Sequence, residues 1–490
     1  MRLQNTGMNM LKRNIELNFS SDELKKRERD GETNPWFASD QLDRGAHVNA
    51  ITDLMLTTEG SFVLTLSSPW GTGKTTFMRM WKAYLEYRGR TCILFNAWQN
   101  DYADNPFLTF IAEMCEQLEA LNKRDTRALR TALDGVKKIG KKLFPRLLSI
   151  GVKTGLGISV DFEKLGKELF GGDGKAAKDI CAALTQLAGD SLEGYASEVL
   201  EGHSSTKKLV QDFRQQLEAV VSALGDHGPL FFFVDELDRC KPTYAVELLE
   251  AVKHLFETSG IIFVLSLDRE QLGHSVKAAY GDGIDADGYL RRFIDLEYRI
   301  PDPDKVRFIQ HLAHSYGFQD YPVFSSSYSR HGAQTFINEF SMIAQYYSLR
   351  TIEKAFLRGS ILMGGIEPYQ CFGDCTFWPH FIFMRELSAD YFKQIVENGD
   401  IPEKLPLEFS ANFPGLNPSA MHLWGRLKHK YEQGDYDMNA TVGRHSAFED
   451  DVRLAVYFFK QRGVHLIDNV VRLLDLSERL VPIVPPESHG

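Results

Sequence analysis

Ser67-Ser68-Pro69-Trp70-Gly71-Thr72-Gly73-Lys74-Thr75-Thr76 is the stretch that decides how the rest of this chain is read. An apolar run, Phe62-Val63-Leu64-Thr65-Leu66, precedes it, and a helical pattern begins near Phe77. Strand, tight glycine loop and helix, in that order, form the context of a phosphate-binding loop. Backbone N–H groups of such a loop and of the helix N-terminus converge on an anion, and the helix dipole adds partial positive charge. Gly71 and Gly73 let the backbone turn without a Cβ in the way. Lys74 would reach the β- and γ-phosphates, and the Thr75 hydroxyl would ligate Mg²⁺. In the spacing G-x-x-x-x-G-K-[ST] the first glycine falls on Ser68, a departure from the pattern. A Gly-rich turn with a solvated lysine is the plainer alternative, and the flanking strand and helix favour the nucleotide site. Its contacts would come from Pro69, Trp70, Gly71, Thr72, Gly73, Lys74, Thr75 and Thr76.

Moving outward, Leu230-Phe231-Phe232-Phe233-Val234 is an unbroken apolar strand that delivers Asp235 and Glu236 at its carboxyl end. Ligands of open α/β sheets bind outside those ends, so both acids are expected beside the loop. Asp235 would hold Mg²⁺, directly or through water, and Glu236 would orient and deprotonate the attacking water. A buried strand with a polar helix cap reads the same in isolation. Joined to Lys74 and Thr75, the pair is far more specific. Thr91–Phe95 and Ile261–Asp268 read as further buried strands alternating with helices, the pattern of a parallel sheet. Ser266 or Asp268 can hydrogen-bond the water or γ-phosphate, while Asp268 serves equally as cap of the helix starting at Arg269.

Tyr289-Leu290-Arg291-Arg292-Phe293 precedes a short strand, Ile294–Ile300. Paired arginines there can enter a neighbouring protomer's nucleotide site and stabilise phosphoryl charge, or form a surface salt bridge. Arg350 stands in the first turn of a helix, a poor place for a cation and so suggestive of anion contact, with packing or a salt bridge as the alternative. Upstream, Asp40 is expected to N-cap a helix carrying Val48, Ile51, Leu54 and Met55 at core spacing, and to border the base pocket. Residues Leu11 to Asp30 read as a solvated helix or extension, with a partner-binding arm as the alternative.

At 490 residues the chain is too long for one ordinary core. A net charge of −10 excludes global attraction to nucleic acid or anionic lipid, so such contact needs a local basic patch. One candidate runs from Lys123 through Lys137, Lys138, Lys141 and Lys142 to Arg146, followed by a glycine-rich segment to Gly174. It reads as an insertion with a solvated face, or one that docks nucleic acid, a membrane surface or protein. The six cysteines are dispersed and complete no zinc set, which fits a reducing cytoplasm. The N-terminus lacks an apolar leader core, and no run reaches the ~18 apolar residues of a membrane span. A cytoplasmic location is the expectation. Expected boundaries are an extension over 1–33, a nucleotide core over 34–122 and 206–302 around an insertion at 123–205, a helical lid-like part at 303–364 and a helical region at 365–490.

With these residues in view, the chain resembles the KAP family of P-loop NTPases. The likeness rests on Asp40-Gln41-Leu42, Trp70-Gly71-Thr72-Gly73-Lys74-Thr75, Phe95-Asn96-Ala97-Trp98, Asp235-Glu236-Leu237-Asp238-Arg239-Cys240, Tyr289-Leu290-Arg291-Arg292-Phe293 and Leu349-Arg350. The resemblance implies an α/β fold like that of other additional-strand NTPases: a parallel sheet flanked by helices, with a helical insertion and a mostly helical C-terminal region. It implies ATP as nucleotide, a finger-like role for Arg291 or Arg292, and a sensor-like role for Arg350. Many members carry Asp at the position of Glu236, and many have transmembrane helices where this chain is basic and amphipathic. The absence of an Asn-Lys-x-Asp guanine signature also favours ATP over GTP.

Together these readings lead to an ATP- and Mg²⁺-dependent regulatory NTPase, with family likeness alone suggesting prokaryotic defence against phage or plasmid. A nucleotide-gated scaffold with little turnover and a DNA-stimulated translocase are the alternatives. The partner expected is a second copy of the chain or a separate effector.

Overall fold

In the computed structural model, residues 19–31, 36–38, 40, 42–102, 106–120, 127–153, 195–321, 332–365, 378–394 and 412–416 are described. They fall into two compact units. One holds the described residues of 18–38 and Arg44–Pro301; the other holds Asp40, Leu42, Asp43 and those from Asp302 onward.

The first unit is built on five parallel strands: β1 (Phe62–Ser67), β2 (Thr91–Asn96), β3 (Leu230–Asp235), β4 (Ile261–Leu267) and β5 (Leu296–Arg299). Their order across the sheet is β2-β3-β4-β1-β5, so β4 separates the loop strand from the acidic strand. Strands β3 and β4 are buried along their whole length, which requires continuous apolar sequence because helices cover both faces. Alternation along β3 assigns its phenylalanines to opposite cores. Phe231 and Phe233 meet Trp81 at 6.0 and 5.5 Å between ring centroids, and Phe232 meets Phe110 and Phe263 at 4.7 and 5.5 Å. Each such buried ring contributes roughly 1.5–3 kcal/mol.

Helices α1 (Ser21–Arg29), α2 (Gly45–Leu56) and α3 (Lys74–Tyr87) belong to the Trp81 face. Trp81 Nε1 donates to Thr52 Oγ1 of α2 at 2.9 Å. The expected solvated helix or extension is a helix at α1 with one buried residue, and the correction is that it is anchored in the core. Leu24 is fully buried in this core, Tyr87 donates to Glu28 at 3.0 Å, and Glu23 accepts from the Ala38 amide at 3.0 Å. The expected Asp40 N-cap is also corrected. Helix α2 begins at Gly45 with Arg44 at the cap position and no side-chain cap bond, because Asp43 adopts a left-handed φ of 55° that breaks the chain direction first. The Trp36 ring then lies directly on Gly45, where a Cβ would stand 2.5 Å from it.

On the other face lie α4 (Pro106–Ala120), α5 (Arg127–Lys153), α6 (Tyr195–Leu224), α7 (Pro242–Phe256), α8 (Arg269–Tyr280) and α9 (Ala286–Leu290). The basic segment therefore begins as a helix with a buried stripe: Leu129, Leu133 and Val136 share a core with Phe213, Leu217 and Val220 of α6, while Arg127, Arg130 and Lys138 are exposed. Helix α6 runs without a break across residue 205. The glycine-rich part of the insertion begins within α5, which runs to Lys153, and residues 154–194 lie outside the described residues.

In the second unit, α10 (Lys305–Ser315), α11 (Gly332–Ala344), α12 (Leu349–Gly365), α13 (Trp378–Leu387) and α14 (Ala389–Phe392) close around Phe318, Phe336, Phe340, Phe356 and Phe383. Phe392 is part of that core, and of the expected helical region at 365–490 the residues after 416 lie outside the described residues. Among the described residues, no helix is long and apolar enough to cross a membrane.

Candidate functional site

The loop leaves β1 at Ser67 and enters α3 at Lys74, with Gly71 and Gly73 at φ 78° and 89°. Both angles lie where a side chain is strained, so the two glycines are what allow the turn. Gly73 precedes the first helical residue and leaves the N-terminal amides of α3 without intrahelical partners, a natural anion site. Thr72 Oγ1 donates to Pro69 O at 2.8 Å and also meets Ser68 Oγ. The side chain at Ser68 thus ties the loop internally at the position where the usual pattern has glycine.

Behind the loop stands Arg44, buried to 3% exposure. It donates to Thr72 O at 2.8 Å, to Gly73 O at 3.2 Å and to Pro301 O at 3.5 Å. Its guanidinium lies 6.0 Å from the centroid of Phe77.

Lys74 Nζ donates to Ser68 O at 2.6 Å and stands 3.8 Å from Asp238 Oδ2. Burial lowers the Lys74 pKa, and Asp238 is the foremost of the charges that hold it up. Trp70 Nε1 donates to the same Asp238 oxygen at 2.5 Å. One carboxylate therefore joins the loop lysine, the loop tryptophan and the turn after β3.

Parallel register brings Asn96 of β2, Asp235 of β3 and Ser266 of β4 to one level at the carboxyl edge of the sheet. Burial pushes the Asp235 pKa up; the Ser266 and Thr75 hydroxyls pull it down, and the neighbouring Glu236 charge pushes it up. Ser266 Oγ is fully buried and, although close enough to influence Asp235, makes no well-formed hydrogen bond. A buried carboxyl flanked by two hydroxyls, one without a full partner, fits a small cation. Among the described residues no group of three His, Cys, Asp or Glu is placed to hold a metal ion by itself. Few protein ligands with water and phosphate completing the shell is the way Mg²⁺ is usually held.

Glu236 adopts a left-handed φ of 60°, which costs roughly 1–2 kcal/mol. Its carboxylate accepts from Asn96 Nδ2 at 3.0 Å and pairs with Arg239 Nη1 at 2.5 Å. Arg239 in turn lies 5.9 Å from the Trp98 ring centroid. The acid is thus held from two sides at the edge of the site.

Of the residues singled out from sequence, Lys74, Thr75, Asp235, Glu236 and Ser266 come together, with Pro69, Trp70, Gly71, Thr72, Gly73 and Thr76 on the loop and first helical turn. Asp268 caps α8, accepting from the Glu270 and Gln271 amides at 3.1 and 3.3 Å. Arg291 is exposed and paired with Asp287 at 3.2 Å; Arg292 is exposed. Asp40 and Arg350 belong to the other unit, where Arg350 is exposed near the start of α12. Sequence reasoning assigned no role to Arg44, Asn96, Asp238 or Arg239. Asp238 stands two residues beyond Glu236 in the same acidic block, a usable signal, whereas Arg44 sits in an ordinary charged stretch.

An uncharacterized protein of Methanocaldococcus jannaschii is 27% identical over 173 residues, 34% of this chain and 86% of that protein. The model of the KAP family P-loop domain matches residues 46–358, most of the chain and all five strands with the loop. The chain belongs to the KAP family of P-loop NTPases.

Proposed function

We propose that this protein binds ATP with Mg²⁺, hydrolyses it, and works as a nucleotide-controlled regulatory switch. The observation that carries the reading is the meeting of Lys74, Thr75, Asp235 and Glu236 at one edge of the sheet, although Lys74 and Asp235 are far apart in sequence. In this reading the loop amides and Lys74 draw charge from the β- and γ-phosphates, and Thr75 and Asp235 hold the metal. Bound Mg²⁺ supplies further neutralisation of the leaving phosphates. Glu236 takes the proton of the attacking water once its side chain faces the γ-phosphate, and positioning with electrostatics supplies the catalysis.

Arg291 or Arg292 of a second copy serves as the finger, and Arg350 as the nucleotide sensor. Prokaryotic defence against phage or plasmid is the setting that family likeness suggests. Glu236→Gln is expected to lower turnover at least ~100-fold while ATP is retained. Unchanged hydrolysis in that variant would remove Glu236 from the mechanism.

A second reading, a nucleotide-gated scaffold with little turnover, is favoured by the hold of Asn96 and Arg239 on Glu236. Steady-state ATPase and solution mass, measured with and without ATP, separate the two. Brisk turnover by a lone monomer sinks the scaffold; ATP-driven assembly without turnover sinks the enzyme.

A further inference from the structure

The peptide groups that would face a triphosphate are set from behind. A trans peptide points its C=O and N–H in opposite directions. The Thr72–Gly73 peptide offers its carbonyl to Arg44 at 2.8 Å, and the Gly73–Lys74 peptide does so at 3.2 Å. Gly73 O also accepts from the Phe77 amide of α3 at 3.0 Å, so helix and arginine fix that peptide together, whereas Thr72 O takes the shorter Arg44 bond. With both carbonyls held on the Arg44 side, the amides of Gly73 and Lys74 are turned to the opposite side. A charged donor on each carbonyl also polarises the peptide and makes its N–H a stronger donor.

The setting explains why arginine stands here. The guanidinium is planar and presents several donors in a fixed fork, so one side chain can hold two successive carbonyls and still reach Pro301 O. An ammonium is a point charge without that fork. Arg44 is 3% exposed and lies near the fully buried Phe77 ring, so solvent screens it little. A buried guanidinium that takes three backbone carbonyls, two of them from the loop, is poorly accounted for as a surface contact.

We propose that Arg44 is a positioning residue that sets the loop's affinity for polyphosphate by orienting and polarising the Gly73 and Lys74 amides. The proposal rests on the nucleotide-binding reading of the loop. It locates the effect at the phosphates and not at the base: ATP and inorganic triphosphate should lose the same factor when Arg44 is changed. Arg44 touches neither water nor reacting atoms in this role, so its variants should act on affinity before they act on the chemical step.

The test compares wild type, Arg44→Lys and Arg44→Met by titration calorimetry with ATP and with inorganic triphosphate. Titrations are run well below each variant's melting temperature, recorded in parallel. Both variants are expected to weaken both ligands on the order of tenfold or more, the scale of a charged hydrogen bond. Arg44→Lys, which keeps charge and bulk, is expected to recover little of it. Wild-type affinity in a folded Arg44→Met protein overturns the proposal. Full recovery by Arg44→Lys overturns it as well, because bulk charge without the fork would then suffice. A loss confined to ATP would assign Arg44 to the base side and equally refute it. If wild type binds neither ligand, the reading of the loop itself is what fails.

Discussion

Asp238→Asn is expected to make the loop bind polyphosphate more tightly. Asp238 holds its charge 3.8 Å from Lys74 Nζ, with side-chain exposures of 2% and 10%. Any triphosphate that recruits Lys74 must compete with that carboxylate and also approach a fixed negative charge. Coulomb attraction at this distance and an effective dielectric of 20 is about 4 kcal/mol. Lys74 keeps its bond to Ser68 O, and water recovers part of the difference, so a net gain of ~1–2 kcal/mol is expected, or roughly five- to thirty-fold in affinity. The new amide oxygen still accepts from Trp70 Nε1, which preserves the tie seen at 2.5 Å. The gain should fade as pH rises. Asp238 is the leading charge that supports the Lys74 proton against burial, so the variant loses that proton at a lower pH than wild type. Calorimetric titration of inorganic triphosphate near neutrality and again toward the ordinary lysine range checks both parts. Equal or weaker binding by a well-folded Asp238→Asn protein near neutrality would refute the reasoning that Asp238 competes for Lys74.

Three further outcomes follow from the geometry. Asn96→Ala removes one of two holds on Glu236 and should raise steady-state turnover several-fold, the scale of ~1 kcal/mol for a neutral donor; a fall would mean that Asn96 aims the acid instead. Asp235→Asn should raise the melting temperature at neutral pH while abolishing Mg²⁺-dependent binding. Burial raises the folded Asp235 pKa above its unfolded value, so ionising it opposes folding. That penalty is absent below the unfolded pKa and complete once pH exceeds the folded one. A lower melting temperature in metal-free buffer would contradict this sign. Leu24→Ala should cost about 2–4 kcal/mol in denaturant titration if α1 is an integral layer, since Leu24 is fully buried; a loss under about 0.5 kcal/mol would return the segment to a solvated extension.

The sheet was legible because its strands are extreme. Phe231-Phe232-Phe233 can be buried only between two helical layers, and the polar residues that end each run mark the carboxyl edge. The glycine loop was legible because Gly71 and Gly73 supply backbone angles that few residues tolerate. Helix α1 is legible as a charged helix, but its anchoring is not: charges surround its one fully buried residue, so burial of Leu24 depends on tertiary partners that a local pattern does not contain. Asp40 was assigned as a cap on residue type, while Asp43 and the Trp36–Gly45 contact decide where α2 starts. The Arg44 and Asp238 ties join residues 28 to 257 positions apart, and no spacing rule reaches that far.

The bond from Arg44 to Pro301 O has a consequence of another kind. These are the first and last residues of the long continuous segment that carries the sheet, and they meet at 3.5 Å. One guanidinium thus ties the entry of this segment to its exit through a side chain and not through the backbone. A strain applied where the chain enters at Arg44 or leaves at Pro301 would therefore be felt at Thr72 and Gly73, the two loop carbonyls held by the same side chain.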